Sequence, residues 1–274
     1  MKWGNIFRLM RLHKPVGTLL LWAPTAWALW IASHGSPPLT LVLYFALGTL
    51  VMRSAGCVIN DMADMRFDRH VQRTASRPLA TGALGLTSAF LLLIFLLLIA
   101  LFIILQLPLY CFYEALVALG IIGVYPFCKR WVRAPQLVLG LAFSMGIPMA
   151  YTALDVQWDR TMLMLLVINF LWILAYDTMY AMADKEDDLK IGIQSTAILF
   201  GSWARGLILI LQMASHLLWL TISTALPLGV MFYICWAIGI GFIVHQQALL
   251  KRGLDLSAFS NSVWYGMVLW GGLM

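Results

Sequence analysis

Acidic residues stand at two places in this chain where a long apolar segment ends. The first cluster consists of Asn60, Asp64 and Asp68. The second cluster consists of Asp177, Tyr180, Asp184 and Asp188. Within each cluster the residues recur every three or four positions, so on a helix each cluster would form one stripe along one face. The pattern predicts two helices that each present a row of oxygen-bearing side chains.

The chemistry of these clusters points to a hard divalent cation. Carboxylates repel one another, and holding them together at a bilayer boundary is costly. Mg²⁺ prefers oxygen ligands and usually binds together with a phosphate-bearing substrate. Zinc is disfavoured, because neither His nor Cys accompanies the carboxylates. The alternative is that these are solvated loop carboxylates paired with nearby Arg and Lys. The repeated D-x-x-x-D spacing, in 64–68 and again in 184–188, favours the metal.

The elements that must carry these clusters are membrane helices. The chain has 274 residues, of which 62% are hydrophobic and only 11% charged, a balance that excludes a soluble domain. Continuous apolar runs of about 20 residues can each cross ~30 Å of hydrocarbon, and continuity favours helices over barrel strands. We predict an all-α membrane protein with a single domain over residues 1–274, in which about nine helices form a bundle around a central cavity. The predicted spans are 16–33, 38–59, 83–106, 108–127, 135–152, 161–183, 204–223, 226–245 and 256–273.

The basic residues predict the orientation of these spans. A net charge of +6 could indicate nucleic-acid binding, but the placement of the charge argues against a nucleic-acid partner. Basic residues precede the first span and follow each of the second, fourth, sixth and eighth spans, whereas the other loops contain only Arg160. The positive-inside rule then places the N-terminus and both acidic clusters on the cytoplasmic side. Arg11 and Lys14, before the first span, are interpreted as topology anchors.

Three other basic residues are candidates for binding an anion. Arg53 lies seven residues before Asn60, so it shares the face of the first stripe two turns deeper, inside a span. A charge there is costly and usually functional, although a structural arginine that snorkels is the alternative. Lys129 and Arg130 follow Tyr125 at the end of the fourth span. They could hold a diphosphate or a carboxylate, or they could be flanking anchors.

The motifs resemble those of a known family. The stretch 56–68, with sequence GCVINDMADMRFD, resembles the N-D-x-x-D-x-x-x-D signature of the UbiA prenyltransferases, and Arg77-Pro78-Leu79 matches the run that accompanies it. The stretch 177–188, with sequence DTMYAMADKEDD, is similar to the second motif of the family, D-x-x-Y-x-x-x-D. The segments 11–17 and 190–197 resemble the subgroup that prenylates 4-hydroxybenzoate. The resemblance covers essentially the whole chain.

This resemblance implies specific roles for the residues. It implies a helical bundle whose central cavity opens sideways to membrane lipid, with Mg²⁺ and a polyprenyl diphosphate as ligands. The implied metal ligands are Asn60, Asp64, Asp184 and Asp188. The catalytic residues would be Asp64, Asp68, Asp184 and Arg130. The substrate-binding residues would be Arg53, Tyr125, Lys129, Arg130, Asp177, Tyr180 and Lys185. The family often has Tyr followed by Ser at its acceptor site, whereas here Pro126 follows Tyr125.

The expected activity is the Mg²⁺-dependent transfer of a polyprenyl group to the carbon ortho to the hydroxyl of 4-hydroxybenzoate, a step of ubiquinone biosynthesis. The expected location is the cell inner membrane, as a multi-pass protein whose active site faces the cytoplasm. One alternative keeps the fold but takes another acceptor, such as homogentisate, dihydroxynaphthoate, haem or a chlorophyllide. A second alternative is a cation-coupled secondary transporter, although transporter sites usually lie near mid-membrane on paired broken helices. A purely structural membrane subunit is a third.

Overall fold

The architecture is entirely helical in the part of the chain that can be described. The computed structural model describes residues 2–274, apart from the side chains of Lys2, Lys129, Arg130 and Ile191. In chain order the helices are α1 Lys2–Leu9, α2 Val16–Ala32, α3 Leu39–Asp68, α4 Leu86–Ile104, α5 Leu109–Trp131, α6 Gln136–Ser144, α7 Gly146–Ala153, α8 Arg160–Ile191, α9 Thr196–Phe200, α10 Ala204–Ala225, α11 Val230–Lys251 and α12 Asp255–Gly272. A 3-10 helix, Gly201–Trp203, joins α9 to α10.

Seven helical segments within residues 2–274 are long and apolar enough to cross a membrane. They are Leu39–Asp68, Leu86–Ile104, Leu109–Cys128, Gln136–Ala153, Arg160–Lys190, Thr196–Ala225 and Val230–Lys251. The apolar helix α2 has 17 residues and is shorter than these seven. The predicted multi-pass helical bundle is confirmed, whereas the count of nine spans and the cytoplasmic N-terminus stay predictions.

The two helices that carry the acidic clusters continue well past their predicted ends. Helix α3 has 30 residues and runs to Asp68, and α8 has 32 residues and runs to Ile191. Both clusters therefore belong to continuous helices rather than to loops. Helix α8 ends at Gly192, whose φ of 74° is a left-handed conformation that glycine adopts readily.

The predicted fifth span is two short helices rather than one. Helix α6 ends at Ser144 and α7 begins at Gly146. A Cβ atom on Gly146 would overlap Oγ1 of Thr25 in α2, so the close contact between α2 and α7 requires glycine here. A run of apolar residues fixes the length of a span but does not reveal such a break, which is why the sequence predicted a single helix.

The core of the bundle is aromatic. Trp27 of α2 is completely buried, and its ring centroid lies 5.1 Å from those of Trp172 in α8 and Trp219 in α10. Its indole N–H donates a hydrogen bond of 3.0 Å to the carbonyl of Gly266 in α12. Buried indoles satisfied in this way fix the relative positions of helices. This packing joins α2, α8, α10 and α12.

Candidate active site

Both acidic clusters face one large cavity. The cavity has a volume of about 1010 Å³ and lies among α2, α3, α4, α5, α6, α7, α8 and α12. The predicted site residues that line it are Arg53, Asn60, Asp64, Asp68, Tyr125, Asp177, Tyr180, Asp184 and Asp188. Residues more than 100 positions apart in sequence are therefore brought to the wall of a single cavity, as the two stripes predicted.

The first stripe owes its geometry to the regular helix of α3. Asn60, Asp64 and Asp68 succeed one another by single turns, and the two aspartates are only 7% and 6% exposed. Carboxylates buried to this degree need compensating partners, because the charged form loses its hydration. For Asp68 the partner is Arg77, whose Nη1 donates a hydrogen bond of 2.7 Å to Oδ2.

The loop between α3 and α4 lines the cavity and contacts the second cluster. Arg73 of this loop donates to both oxygens of Asp184, with 2.7 Å from Nε to Oδ1 and 2.5 Å from Nη2 to Oδ2. Its guanidinium carbon also lies 4.6 Å from the ring centroid of Tyr180. Burial lowers the pKa of Arg73, but the hydrogen bonds to Asp184 and the nearby acidic groups raise it by more, so its pKa lies above the ordinary value. Arg73 is therefore a permanent cation at the site.

A second contact holds the same loop to the end of α8. The backbone N–H of Gln72 donates a hydrogen bond of 3.3 Å to Oδ2 of Asp187. The other oxygen of Asp187 pairs with the Lys190 ammonium at 3.0 Å, one turn along the helix. The exposed ion pair between Lys190 and Asp187 adds little stability by itself. The hydrogen bond from Gln72 to Asp187, together with the contact between Arg73 and Asp184, defines where the loop meets α8.

The cavity also contains one deep arginine. Arg53 of α3 lines the cavity two turns from Asn60, as its spacing predicted. Its guanidinium carbon lies 5.8 Å from the ring centroid of Phe143, and its Nη2 fills the space where a Cβ atom on Gly17 would be. The absence of a side chain at Gly17 is therefore what lets Arg53 reach across to the start of α2.

Three of the predicted substrate-binding residues are not among those seen to line the cavity. Lys185 follows Asp184 on α8 and so lies about 100° around the helix; it does not line the cavity, and the geometry gives no support for a substrate-binding role. The side chains of Lys129 and Arg130 lie outside the described residues, although their backbone belongs to α5.

Several charged residues at the site were not singled out from the sequence. Arg73 and Arg77 line the cavity, and so does Arg11, which was interpreted as a topology anchor. For Arg77 a signal existed in the Arg-Pro-Leu run, but neither Arg73 nor Arg11 stands in a spacing that marks it. The partly correct alternative was that carboxylates of the clusters pair with arginines, which is what Asp68 and Asp184 do here.

The oxygen donors of the two stripes fit a magnesium ion that arrives with its substrate. Among the described residues, no three His, Cys, Asp or Glu side chains lie close enough to form a complete metal cage. Mg²⁺ does not need one, because it takes one or two carboxylates and completes its octahedron with water and phosphate oxygens. The donors that line the cavity, Asn60, Asp64, Asp184 and Asp188, have the chemistry that this mode of binding requires.

Most of the remaining lining of the cavity is apolar. Side chains of α4 and α5 contribute leucines to it, among them Leu97, Leu101, Leu116 and Leu119. A cavity lined by both charged groups and leucines suits a ligand that has an anionic head and a hydrocarbon tail. The arrangement can bind the head by metal and guanidinium groups while the tail stays out of water.

Comparison with known proteins agrees with this geometry. The model of the UbiA prenyltransferase family matches residues 21–267. The 4-hydroxybenzoate octaprenyltransferase of Legionella pneumophila (strain Lens) is 51% identical over 271 residues, which cover 98% of this chain and 96% of the relative. The protein of the same name from Tolumonas auensis is 46% identical and covers 100% of this chain and 96% of its own.

Solved structures show the same fold. A UbiA homologue from Aeropyrum pernix K1 superposes with a TM-score of 0.82 at 25% identity, over 93% of this chain and 96% of the homologue. A UbiA homologue from Archaeoglobus fulgidus, solved with GPP and Mg²⁺, gives a TM-score of 0.69 at 19% identity, over 97% and 99%. The family model matches most of the chain, and relatives share about half of its residues. The chain therefore belongs to the UbiA prenyltransferase family.

Proposed function

We propose that this protein transfers a polyprenyl group from a polyprenyl diphosphate to the ring carbon ortho to the hydroxyl of 4-hydroxybenzoate. The observation that carries the proposal is that both acidic stripes line one cavity whose other lining residues are mostly apolar. Relatives with this name cover nearly the whole chain at 42–51% identity. The step belongs to ubiquinone biosynthesis, and we place the protein in the cell inner membrane with the cavity mouth toward the cytoplasm.

The residues of this chain divide the work of binding. Asn60, Asp64, Asp184 and Asp188 would hold Mg²⁺, and a bound Mg²⁺ neutralises charge on the departing diphosphate. An Archaeoglobus fulgidus homologue of the same fold was solved with GPP and Mg²⁺, which supports this assignment. The guanidinium groups of Arg73 and Arg77, which line the cavity, would add fixed positive charge where the leaving group develops its negative charge.

Carbon–carbon bond formation follows from departure of the diphosphate. The bond between the allylic carbon and the diphosphate oxygen breaks, and the electron pair leaves with the diphosphate. The electron-rich ring of the acceptor attacks the resulting allylic cation, and the ring then loses a proton to restore its aromaticity. Apolar and aromatic walls exclude water, which would otherwise capture the cation. Arg53, which lines the cavity two turns from Asn60, would meet the carboxylate of the acceptor.

A direct assay tests the proposal. Membranes that contain the protein are incubated with 4-hydroxybenzoate, Mg²⁺ and isoprenoid diphosphates of graded length, and the product is identified by mass spectrometry. The expected product carries the prenyl group ortho to the hydroxyl. Parallel reactions with homogentisate and dihydroxynaphthoate test the other acceptors. Product with one of these but none with 4-hydroxybenzoate would overturn the assignment of the acceptor.

A further inference from the structure

Asp61 is the one aspartate of the first motif that does not line the cavity. It is completely buried, and its Oδ1 accepts a hydrogen bond of 2.6 Å from Nη2 of Arg11. The same oxygen lies 3.1 Å from Nη1 of Arg77. Its other oxygen is buried and has no hydrogen-bond partner within the described part of the chain. The carboxylate of Asp61 therefore contacts two arginines from different segments, and it does not line the cavity.

The backbone at Arg11 shows that an arginine here is unusual. The N–H of Arg11 donates to the carbonyl of Arg8 at 3.1 Å, and the N–H of Leu12 donates to the carbonyl of Phe7 at 3.2 Å. These two bonds form a Schellman motif, whose left-handed residue is usually glycine. Arg11 occupies that position with φ of 59°. Helix α11 ends with the same motif and has Gly253 there, with φ of 71°.

The two arginines of this group place guanidinium groups at the cavity wall. Arg11 and Arg77 both line the cavity that Asp64 and Asp184 line. Nη1 of Arg77 also donates a hydrogen bond of 2.7 Å to Oδ2 of Asp68, so two arginines and two carboxylates meet here and their charges balance. An arginine has five N–H donors, which is more than these contacts use. Guanidinium groups offer paired N–H donors that match phosphate oxygens. A buried carboxylate behind them fixes their direction, because leaving it unpaired would be costly.

We propose that Asp61 is a positioning residue, not a metal ligand, and that it presents Arg11 and Arg77 to the cavity as a guanidinium pair for the diphosphate of the isoprenoid. The identity of the diphosphate rests on the proposed function. The role explains why arginine replaces glycine at the end of α1. It also explains why two adjacent motif residues, Asn60 and Asp61, point to different surroundings.

The test measures binding of inorganic diphosphate to the purified protein in detergent with Mg²⁺ present, by titration calorimetry. Arg11→Gly removes the guanidinium but favours the observed left-handed backbone, so the end of α1 is retained. Affinity is expected to fall about tenfold, the loss typical of one charge-assisted hydrogen bond. The matched control is His34→Gly, because His34 occupies the same position at the end of α2, with φ of 53°, and is exposed. This control should bind diphosphate as the wild type does.

Asp61→Asn separates positioning from metal ligation. It is expected to weaken diphosphate binding as Arg11→Gly does, and the double variant should bind little worse than either single variant, since both remove one arrangement. The Mg²⁺ concentration for half-maximal diphosphate binding should stay unchanged in Asp61→Asn and rise in Asp64→Asn. Affinity within twofold of wild type in Arg11→Gly would overturn the proposal, as would a raised Mg²⁺ requirement in Asp61→Asn.

The proposed function can fail separately. A wild-type protein that binds diphosphate but prenylates no 4-hydroxybenzoate would refute the assigned acceptor, whereas the comparison between Arg11→Gly and His34→Gly depends only on diphosphate binding.

Discussion

Arg73 binds Asp184 through both carboxylate oxygens, although the two residues are 111 positions apart in sequence. Asp184 is one of the four proposed metal ligands, so a fixed cation already occupies the side chain that a second cation would use. A carboxylate has about four lone-pair sites and can serve both. The two cations nevertheless repel each other across it, and Arg73 therefore sets how strongly Asp184 attracts a metal.

The first prediction concerns this competition. Arg73→Gln removes the positive charge, so the Mg²⁺ concentration for half-maximal activity should fall at least about fivefold. Two unit charges 4 Å apart repel by about 1 kcal/mol even at the dielectric constant of water, which is about fivefold in affinity, and the double charge of Mg²⁺ increases the repulsion. The control is Lys190→Gln, which breaks the ion pair with Asp187 at the end of the same helix. A rise in the Mg²⁺ requirement of Arg73→Gln would mean that Arg73 assists metal binding.

The second prediction concerns the metal ligands. Asp64→Ala and Asp184→Ala each remove a carboxylate from one of the two stripes. Losing a ligand removes several kcal/mol of charge stabilisation in the transition state, so turnover should fall at least about 10²-fold. The measurement is the transfer rate at equal membrane abundance. Asp155→Asn, an exposed aspartate in the loop between α7 and α8, is the matched control. Rates within threefold of wild type in either alanine variant would refute the assignment.

The third prediction concerns the choice of metal. EDTA should abolish transfer, and Mg²⁺ or Mn²⁺ should restore it. Ca²⁺ should restore it poorly, because its bonds are longer and its coordination is looser than the octahedron of Mg²⁺, so that diphosphate oxygens are misplaced. The rate is measured after dialysis against chelator and readdition of each metal in turn. Full activity in the presence of chelator would contradict the role given to both stripes.

The fourth prediction concerns Arg130, at the end of α5. A guanidinium fork suits a diphosphate or a carboxylate better than the point charge of a lysine. Arg130→Lys should therefore preserve charge and membrane insertion but raise the KM for one substrate. We expect the affected substrate to be the isoprenoid diphosphate. Unchanged kcat and unchanged values of both KM, in Arg130→Lys and in Arg130→Ala, would leave Arg130 as an anchor.

Helical spacing was enough to predict which acidic residues share a helix face, and the residues of both faces line the cavity. Asp64 and Asp184 could be assigned to one face of their helices because residues four apart on a helix are neighbours, whatever the rest of the fold does. The nearly continuous apolar runs likewise predicted membrane helices. Helical spacing and apolar runs depend only on neighbouring residues. They predict the structure well here because the helices that contain them are long.

Contacts made by loops could not be predicted in the same way. Arg73 reaches Asp184, and Arg11 reaches Asp61, through irregular segments whose path depends on the whole bundle. No periodicity in the sequence marks these pairs. The break between α6 and α7 was also missed, because the tight contact of Gly146 with Thr25 is a property of packing and not of hydropathy.

The fifth prediction concerns Gly17 and its close contact with Arg53. A Cβ atom on Gly17, at the start of α2, would overlap Nη2 of Arg53. The end of an arginine is flexible, so Gly17→Ala should displace Arg53 without unfolding the helix, and alanine is the better helix former. If Arg53 holds the carboxylate of the acceptor, the KM for 4-hydroxybenzoate should rise about tenfold while the KM for the isoprenoid stays constant.

Gly123→Ala in α5 is the matched control, because its Cβ would meet nothing within 4 Å. Steady-state kinetics with each substrate varied, together with thermal unfolding in detergent, give the answer. Equal changes in both KM values, or a lowered melting temperature with no selective change, would show that Gly17 serves packing alone.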